Sequence, residues 1–325
     1  MKSTTRNCLN CSENLNAEQN YCPNCGQETS DKKLPLGTFL KDFFSNYLNL
    51  DAVILKTLSP FIFRPGRLTK EFNDGKRRRY INPIRLYLIF SLFYFFTISL
   101  TVPKDFIDNN IRYIINQRAA LDSTEVNTGI VNIKFEGEIP KDSVEINNKE
   151  DRWATLKYWA NDDNLSDHEF KQKLANVVGE LPDAFDISIV RGFIKNSSIF
   201  TYQAIKNLPL MMFFFLPIFA LILKLLFFKK QYYMEHLIHG LHLHAFAYFI
   251  YGMVILLISI FPFGEGWFIS ISFLWVSSYS LFSIKRLYGN TWFKSILKFF
   301  ALGYLYFTLL LFGVLFELYI SLLTI

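Results

Sequence analysis

Five stretches of this chain carry no charged side chain for 17 to 20 residues each: 86–102, 207–223, 245–264, 266–284 and 299–316. A helix needs about 20 apolar residues to cross a bilayer, within a range of roughly 17–25, and each stretch reaches that length with its flanks. Hydrocarbon offers the backbone no hydrogen-bond partner, so such segments are expected as helices. The composition agrees, at 51% hydrophobic and 18% aromatic with 35 Phe. The expected fold is an all-α polytopic membrane protein with about five transmembrane helices, at 84–102, 207–228, 240–263, 266–284 and 297–323. Arg85 and Lys224 stand at the ends of their runs, where long basic side chains snorkel to the interface. The second span contains Pro217, and a kink there is tolerated in a membrane helix.

Basic residues set the expected orientation. Lys70, Lys76, Arg77, Arg78, Arg79 and Arg85 precede the first span. Lys224, Lys229 and Lys230 follow the second, and Lys285, Arg286, Lys294 and Lys298 lie between the fourth and fifth. Every junction then agrees with an N-terminus in the cytoplasm and a C-terminus outside. The polar N-terminus has no apolar h-region, so the first span is expected to act as an uncleaved anchor.

All four cysteines fall within the first 25 residues, as Cys8-Leu9-Asn10-Cys11 and Cys22-Pro23-Asn24-Cys25-Gly26. Four thiolates at this spacing suit one tetrahedral, structural Zn²⁺. Gly26 can take positive φ and bring its N–H towards a sulfur. Ser12 holds the equivalent place after the first pair and fits it less well. The competing readings are two disulfides, which need an oxidising compartment, and a redox pair, which needs a βαβ setting that 35 residues cannot supply. Cytoplasmic placement favours zinc. A ribbon of residues 1–30 has almost no core, so the metal would fold it. All four ligand positions are taken, so its expected role is to bind or present a partner rather than to catalyse.

Residues 36–83 read as an amphipathic interfacial segment with a basic collar. Phe39, Phe43, Phe44, Tyr47, Leu48, Leu50, Ile54 and Leu55 recur at helical spacing. The stretch 52–63 is too short to span and is closed by Arg64-Pro65-Gly66; it is expected to lie in the interface or as a shallow re-entrant piece, with packing on the inner end of the bundle as the other reading. Lys76, Arg77, Arg78 and Arg79 are expected to attract anionic lipid headgroups, at about 1 kcal/mol per basic residue, besides signalling topology. The cluster is short and pinned at the membrane, which argues against nucleic acid. Residues 103–206 form an acid-rich extracytoplasmic segment, expected as a small α+β insertion. Residues 130–139 alternate like a strand, and Ser166-Asp167-His168-Glu169 reads as a capping box opening a helix that ends before Pro182. No catalytic constellation stands out there.

Four of the five histidines lie within nine residues, in Glu235-His236-Leu237-Ile238-His239-Gly240-Leu241-His242-Leu243-His244. At 100° per residue, Glu235, His239 and His242 fall within about 60° of one another. His236 and His244 point elsewhere. Three readings stay open: a second metal held by imidazole and carboxylate, a proton relay, or interfacial histidines hydrogen-bonded to neighbouring helices or water.

These motifs together resemble a family of bacterial membrane proteins of unknown function with an N-terminal zinc ribbon and several spans. The resemblance rests on Cys8, Cys11, Cys22 and Cys25-Gly26-Gln27, on Thr57-Leu58, on Arg64-Pro65-Gly66, on 75–83 with its Gly-Lys-Arg-Arg-Arg-Tyr-Ile-Asn-Pro run, on Glu235-His236-Leu237 and on His242, His244 and Phe246. It implies an inner-membrane location and supplies no activity. In the family pattern position 239 is usually apolar, so the resemblance shifts weight from His239 to Glu235, His236, His242 and His244.

Two functions are expected to compete. One is a non-enzymatic inner-membrane protein whose cytoplasmic ribbon binds a protein partner or couples it to the bundle. The other is a metal-dependent membrane enzyme or proton-coupled small transporter built on Glu235 and the histidines.

Overall fold

The described parts of the charge-free stretches are helical but for Phe261 and Gly264 in the structure, a computed structural model that describes residues 6–16, 18–29, 37, 53–101, 109–115, 151–182, 185–227, 231–261 and 264–324. Among the described residues five helices are long and apolar enough to cross a membrane: Pro83–Thr101, Ile205–Leu226, Tyr233–Ile260, Glu265–Tyr288 and Trp292–Glu317. The chain divides into two compact units, Met1–Thr101 with Asn207–Gly313, and Val102–Lys206 with Val314–Ile325.

The first unit begins with a two-stranded antiparallel sheet, β1 (Arg6–Asn7) and β2 (Asn14–Leu15). Helices α1 (Val53–Phe63), α2 (Arg67–Asn73) and α3 (Pro83–Thr101) follow. Further on come α6 (Ile187–Leu226), which belongs to this unit from Asn207 onward, α7 (Tyr233–Ile260), α8 (Glu265–Tyr288) and α9 (Trp292–Thr324), which belongs to it as far as Gly313. Helices α3 and α7 pack along each other, with Tyr94 stacked on Tyr248 at 5.1 Å. Side chains of α1, α3, α7 and α8 meet in an aromatic core. Phe61 stacks on Phe90 at 5.2 Å, and Phe246 on Tyr279 at 3.6 Å. Offset and edge contacts of this kind add about 0.5–1.5 kcal/mol each beyond area burial. Outward faces stay apolar, as at Leu92, Phe96, Trp267 and Phe307, which suits hydrocarbon and not water.

Of the readings open for the stretch 52–63, the structure shows the packed one: α1 packs on the bundle. Phe61 is fully buried, its carbonyl accepts from Tyr279 Oη at 2.7 Å, and Thr57 Oγ1 accepts from the Ile81 N–H at 3.1 Å. Only its far side, with Leu55 and Phe63, is exposed. An amphipathic pattern says that one face is buried and does not say against what. The departure from helical dihedrals in α6 falls at Asn196 and not at Pro217. Residues 39–50, part of the expected amphipathic stretch, lie outside the described residues.

In the second unit α4 (Arg152–Asn161) and α5 (Asp167–Val178) enclose Trp153, Leu156, Ala160, Phe170 and Leu174, together with Ile194 of α6. Ser166 and Glu169 form the expected capping box. Arg191 ties the connection between α4 and α5, donating to the carbonyls of Ala160, Asp162 and Leu165 and to Asp167 Oδ1. The expected strand at 130–139 lies outside the described residues.

Candidate functional site

The two Cys-x-x-Cys segments fold into matching turns. The Ser12 N–H donates to Cys8 O at 2.9 Å and the Gly26 N–H to Cys22 O at 2.9 Å. The Cys8 and Cys22 N–H groups donate at 2.8 Å to Glu13 O and Gln27 O. Ser12 and Gly26 both take left-handed φ, at 65° and 69°. The serine therefore does the same geometric job as the glycine, at the steric cost an L-residue bears there.

These turns face each other. The Cys8 and Cys25 sulfurs lie 3.6 Å apart, as do those of Cys11 and Cys22, and all four lie within 4.8 Å of one another. A tetrahedral ion with metal–sulfur bonds near 2.3 Å needs edges of about 3.8 Å, so this donor set fits a single metal ion. The thiols are free, and without a cation they cannot ionise alike. Burial resists ionisation of Cys25, but the Gln27 backbone, the Asn10 side chain and neighbouring thiols lower it to about 7. At Cys11 a backbone hydrogen bond from Glu13 favours the thiolate. Burial and the thiols of Cys22, Cys25 and Cys8 outweigh it and push the group up to about 12. A bound cation would remove that asymmetry by stabilising every thiolate.

The cysteine knuckle is docked. Gln27 is 7% exposed; its Nε2 donates to Gly75 O at 2.7 Å and its Oε1 accepts from the Arg77 N–H at 3.1 Å. Gly75 takes φ 93°, and a Cβ there would come within 2.8 Å of Leu9. The turn after α2 therefore accepts the knuckle through a bidentate side-chain amide and a glycine that lets Leu9 close in. Gln27 stands among the residues that carried the resemblance, but nothing local in the sequence showed that it reaches Gly75 and Arg77, 48 and 50 positions away.

The histidines take separate partners. His236 Nδ1 and His239 Nδ1 both contact Tyr288 Oη, at 2.8 and 3.2 Å, and His239 Nε2 lies 2.8 Å from Ser283 Oγ. His242 Nδ1 meets Thr69 Oγ1 at 2.9 Å, and His244 joins Gly240 O at 2.8 Å and Tyr306 Oη at 2.6 Å. Glu235 serves the start of α7, its carboxylate accepting from the Tyr232 N–H at 2.7 Å. Among the described residues only the four cysteines bring three or more metal-ligating side chains within 4.8 Å. The Glu235, His239 and His242 row thus shares a helix face without meeting at a point. All four histidines are buried, and burial of a polar ring is costly unless it is hydrogen-bonded. The hydroxyls of Thr69, Ser283, Tyr288 and Tyr306 meet that need. They come from α2, α8 and α9, which no local signal in the sequence connects to α7.

One consequence is a linked set of tautomers. Tyr288 has a single hydroxyl proton, so it donates to one of the two imidazoles and accepts from the other. His236, Tyr288, His239 and Ser283 then form a chain that can be polarised in either direction. His236 Nε2 stands, buried, at its end.

A family model described as a protein of unknown function (DUF3667) matches residues 51–95. That stretch holds α1, α2, the docking turn and most of α3, and contains the Arg64 to Pro83 run on which the resemblance chiefly rested. The cysteines and histidines lie outside it. No curated protein and no solved structure matches the chain.

Proposed function

We propose that this chain is a multi-pass protein of the bacterial inner membrane, N-terminus inside and C-terminus outside, whose zinc-folded ribbon couples a cytoplasmic protein partner to the bundle. The observation that carries this reading is the Gln27 contact with Gly75 and Arg77, because it fastens the knuckle to the turn after α2. Zinc is favoured over other ions by four thiolates in near-tetrahedral array. A closed four-sulfur shell leaves no position for substrate, so the ribbon's role is to be recognised. Lys76, Arg77, Arg78 and Arg79 beside it favour anionic headgroups at the same face.

Photo-crosslinking from Tyr21, which is exposed on the knuckle, tests the coupling in cells. A discrete adduct is expected in the wild type and is lost in Cys22→Ser. An adduct pattern indifferent to that change would sink the reading. Charge-reporter fusions at the two termini test the orientation.

The second reading is a proton-coupled small transporter, and the specific observation in its favour is the His236–Tyr288–His239–Ser283 chain. Its metal-dependent variant, an enzyme using Glu235 and the histidines, requires a second metal ion per chain. Metal analysis before and after removal of residues 1–30 separates these: one zinc that vanishes with the ribbon leaves the metal-dependent variant without its ion.

A further inference from the structure

Basic residues that the sequence distributes over 220 positions converge on one cleft. Arg64 follows α1, Arg67 and Lys70 lie on α2, Lys76 is in the docking turn, and Arg286 is in the last turn of α8. With Glu71 and Asp74 they line an open cleft of about 520 Å³. The cleft is held from both sides. Arg286 Nη1 donates to Pro65 O at 2.8 Å, fastening the end of α8 to the loop before α2. Glu71 is already engaged, by Arg67 Nε at 2.7 Å and Arg79 Nε at 3.2 Å. Burial alone would raise the Glu71 carboxyl, but Arg67, Arg79 and Lys76 lower it, so it stays ionised and fixes the Arg67 fork.

Size and lining restrict the occupant. The volume lies within the roughly 300–1,000 Å³ of small-ligand sites. Every lining side chain is charged, so nothing favours an apolar ligand. Five cations face two carboxylates, one of which is held by two arginines. Arginine forks match phosphate oxygens in pairs, and lysine adds a mobile point charge. We propose that this cleft binds a phosphate monoester, carried by a lipid headgroup or by a soluble molecule. The excess of positive charge favours a dianion over the single charge of a phosphodiester. The site is separate from the knuckle and does not depend on the ribbon having a protein partner. Nor is it the collar itself, of which it uses only Lys76.

The test uses the full chain in phosphatidylcholine nanodiscs, with two arms. In one, glycerol 3-phosphate and inorganic phosphate are titrated calorimetrically. In the other, discs carry phosphatidic acid or phosphatidylglycerol, and retained lipid is counted by native mass spectrometry. Saturable binding of one phosphate per chain is expected in at least one arm, and the arm identifies the source. Phosphatidic acid should be retained in preference to phosphatidylglycerol. Arg64 and Lys70 are exposed, so Arg64→Gln and Lys70→Gln remove charge without disturbing the core. Each should weaken binding about tenfold, as loss of a charge-assisted contact does, while Arg78→Gln outside the cleft changes it less than about twofold, as a screened surface charge does. No saturable binding in either arm, saturable lipid binding that holds phosphatidylglycerol as well as phosphatidic acid, or an Arg78→Gln effect as large as that of Arg64→Gln would each overturn the proposal.

Discussion

Cys8, Cys11, Cys22 and Cys25 gather their sulfurs within 4.8 Å. His236, His239, His242 and His244 are closer together in sequence, yet their ring nitrogens go to hydroxyls on three other helices. Backbone geometry explains the contrast. A Cys-x-x-Cys turn reverses the chain and aims two sulfurs at one point, and a second turn can face it. A helix instead rotates successive side chains by 100°, so positions 236, 239, 242 and 244 fan across about 200°. Proximity along the chain predicts convergence only where the backbone turns back on itself.

The two regions also differ in what holds them. The knuckle's buried cluster is Cys8, Leu15 and Cys22. Burial of one leucine contributes about 1.5–3 kcal/mol, against about 10–16 kcal/mol for structural zinc in small metal-folded peptides. A zinc ion held by the four thiols would therefore dominate there. In the bundle, packing dominates and the four histidines lie buried within it with hydroxyl partners.

The largest expected effect is at the knuckle. Cys22→Ser should take metal content from one zinc per chain to none and expose residues 6–29 to protease, while the bundle's melting temperature in detergent holds. A bundle that melts with the knuckle would break the contrast. Next comes Tyr288→Phe, which strips a hydroxyl shared by two buried imidazoles. Leaving two groups unsatisfied at about 1–3 kcal/mol each should lower the bundle's melting temperature by several degrees with zinc unchanged. A second metal in the wild type that disappears in this variant would show the histidines converging after all.

Gln27→Ala should cost about 1–3 kcal/mol, the penalty for an unmade buried hydrogen bond. It should act locally: faster hydrogen exchange at the Arg77 amide, with one zinc retained. Unchanged exchange would mean that the knuckle and bundle are joined some other way. The smallest effect concerns the turn between them. The folded-state Glu71 carboxyl sits below its ordinary range. Its ion pairs thus contribute fully above an ordinary carboxylate value of about 4.3 and are lost as pH falls through the lower folded value. Glu71→Gln should flatten that part of the acid dependence of melting, and an unaltered acid limb would assign it to other carboxylates.

Much of this architecture was legible in the residues. The spans were, because hydrocarbon demands long uncharged helices and their absence of charge is plain in one dimension. The α5 capping box was, because Ser166 and Glu169 interact three positions apart. The four-thiol cluster was, because two tight turns bring it together locally, with Gly26 in its left-handed place; that Ser12 takes the same conformation was not. What lay between elements was not. The hydrophobic pattern of α1 showed a buried face without naming Phe90, Phe246 and Tyr279 as its cover. Glu235, His239 and His242 share a face of α7, and only their partners, the Tyr232 N–H, Tyr288 and Ser283 on α8, and Thr69 on α2, showed that they do not meet.

By itself, the sequence determined five membrane-length helices, a set of four thiols and a concentration of positive charge beside them. Each depends on near neighbours in the chain or on the solvent, and both are readable without a fold. Tertiary structure alone decided that Gln27 grips Gly75 and Arg77, that each buried histidine of α7 meets a hydroxyl, and that Arg286 closes a cleft with Arg64 and Lys70. Those contacts join residues tens to hundreds of positions apart. They form where packing of apolar faces happens to carry polar groups into reach, and no local periodicity encodes that.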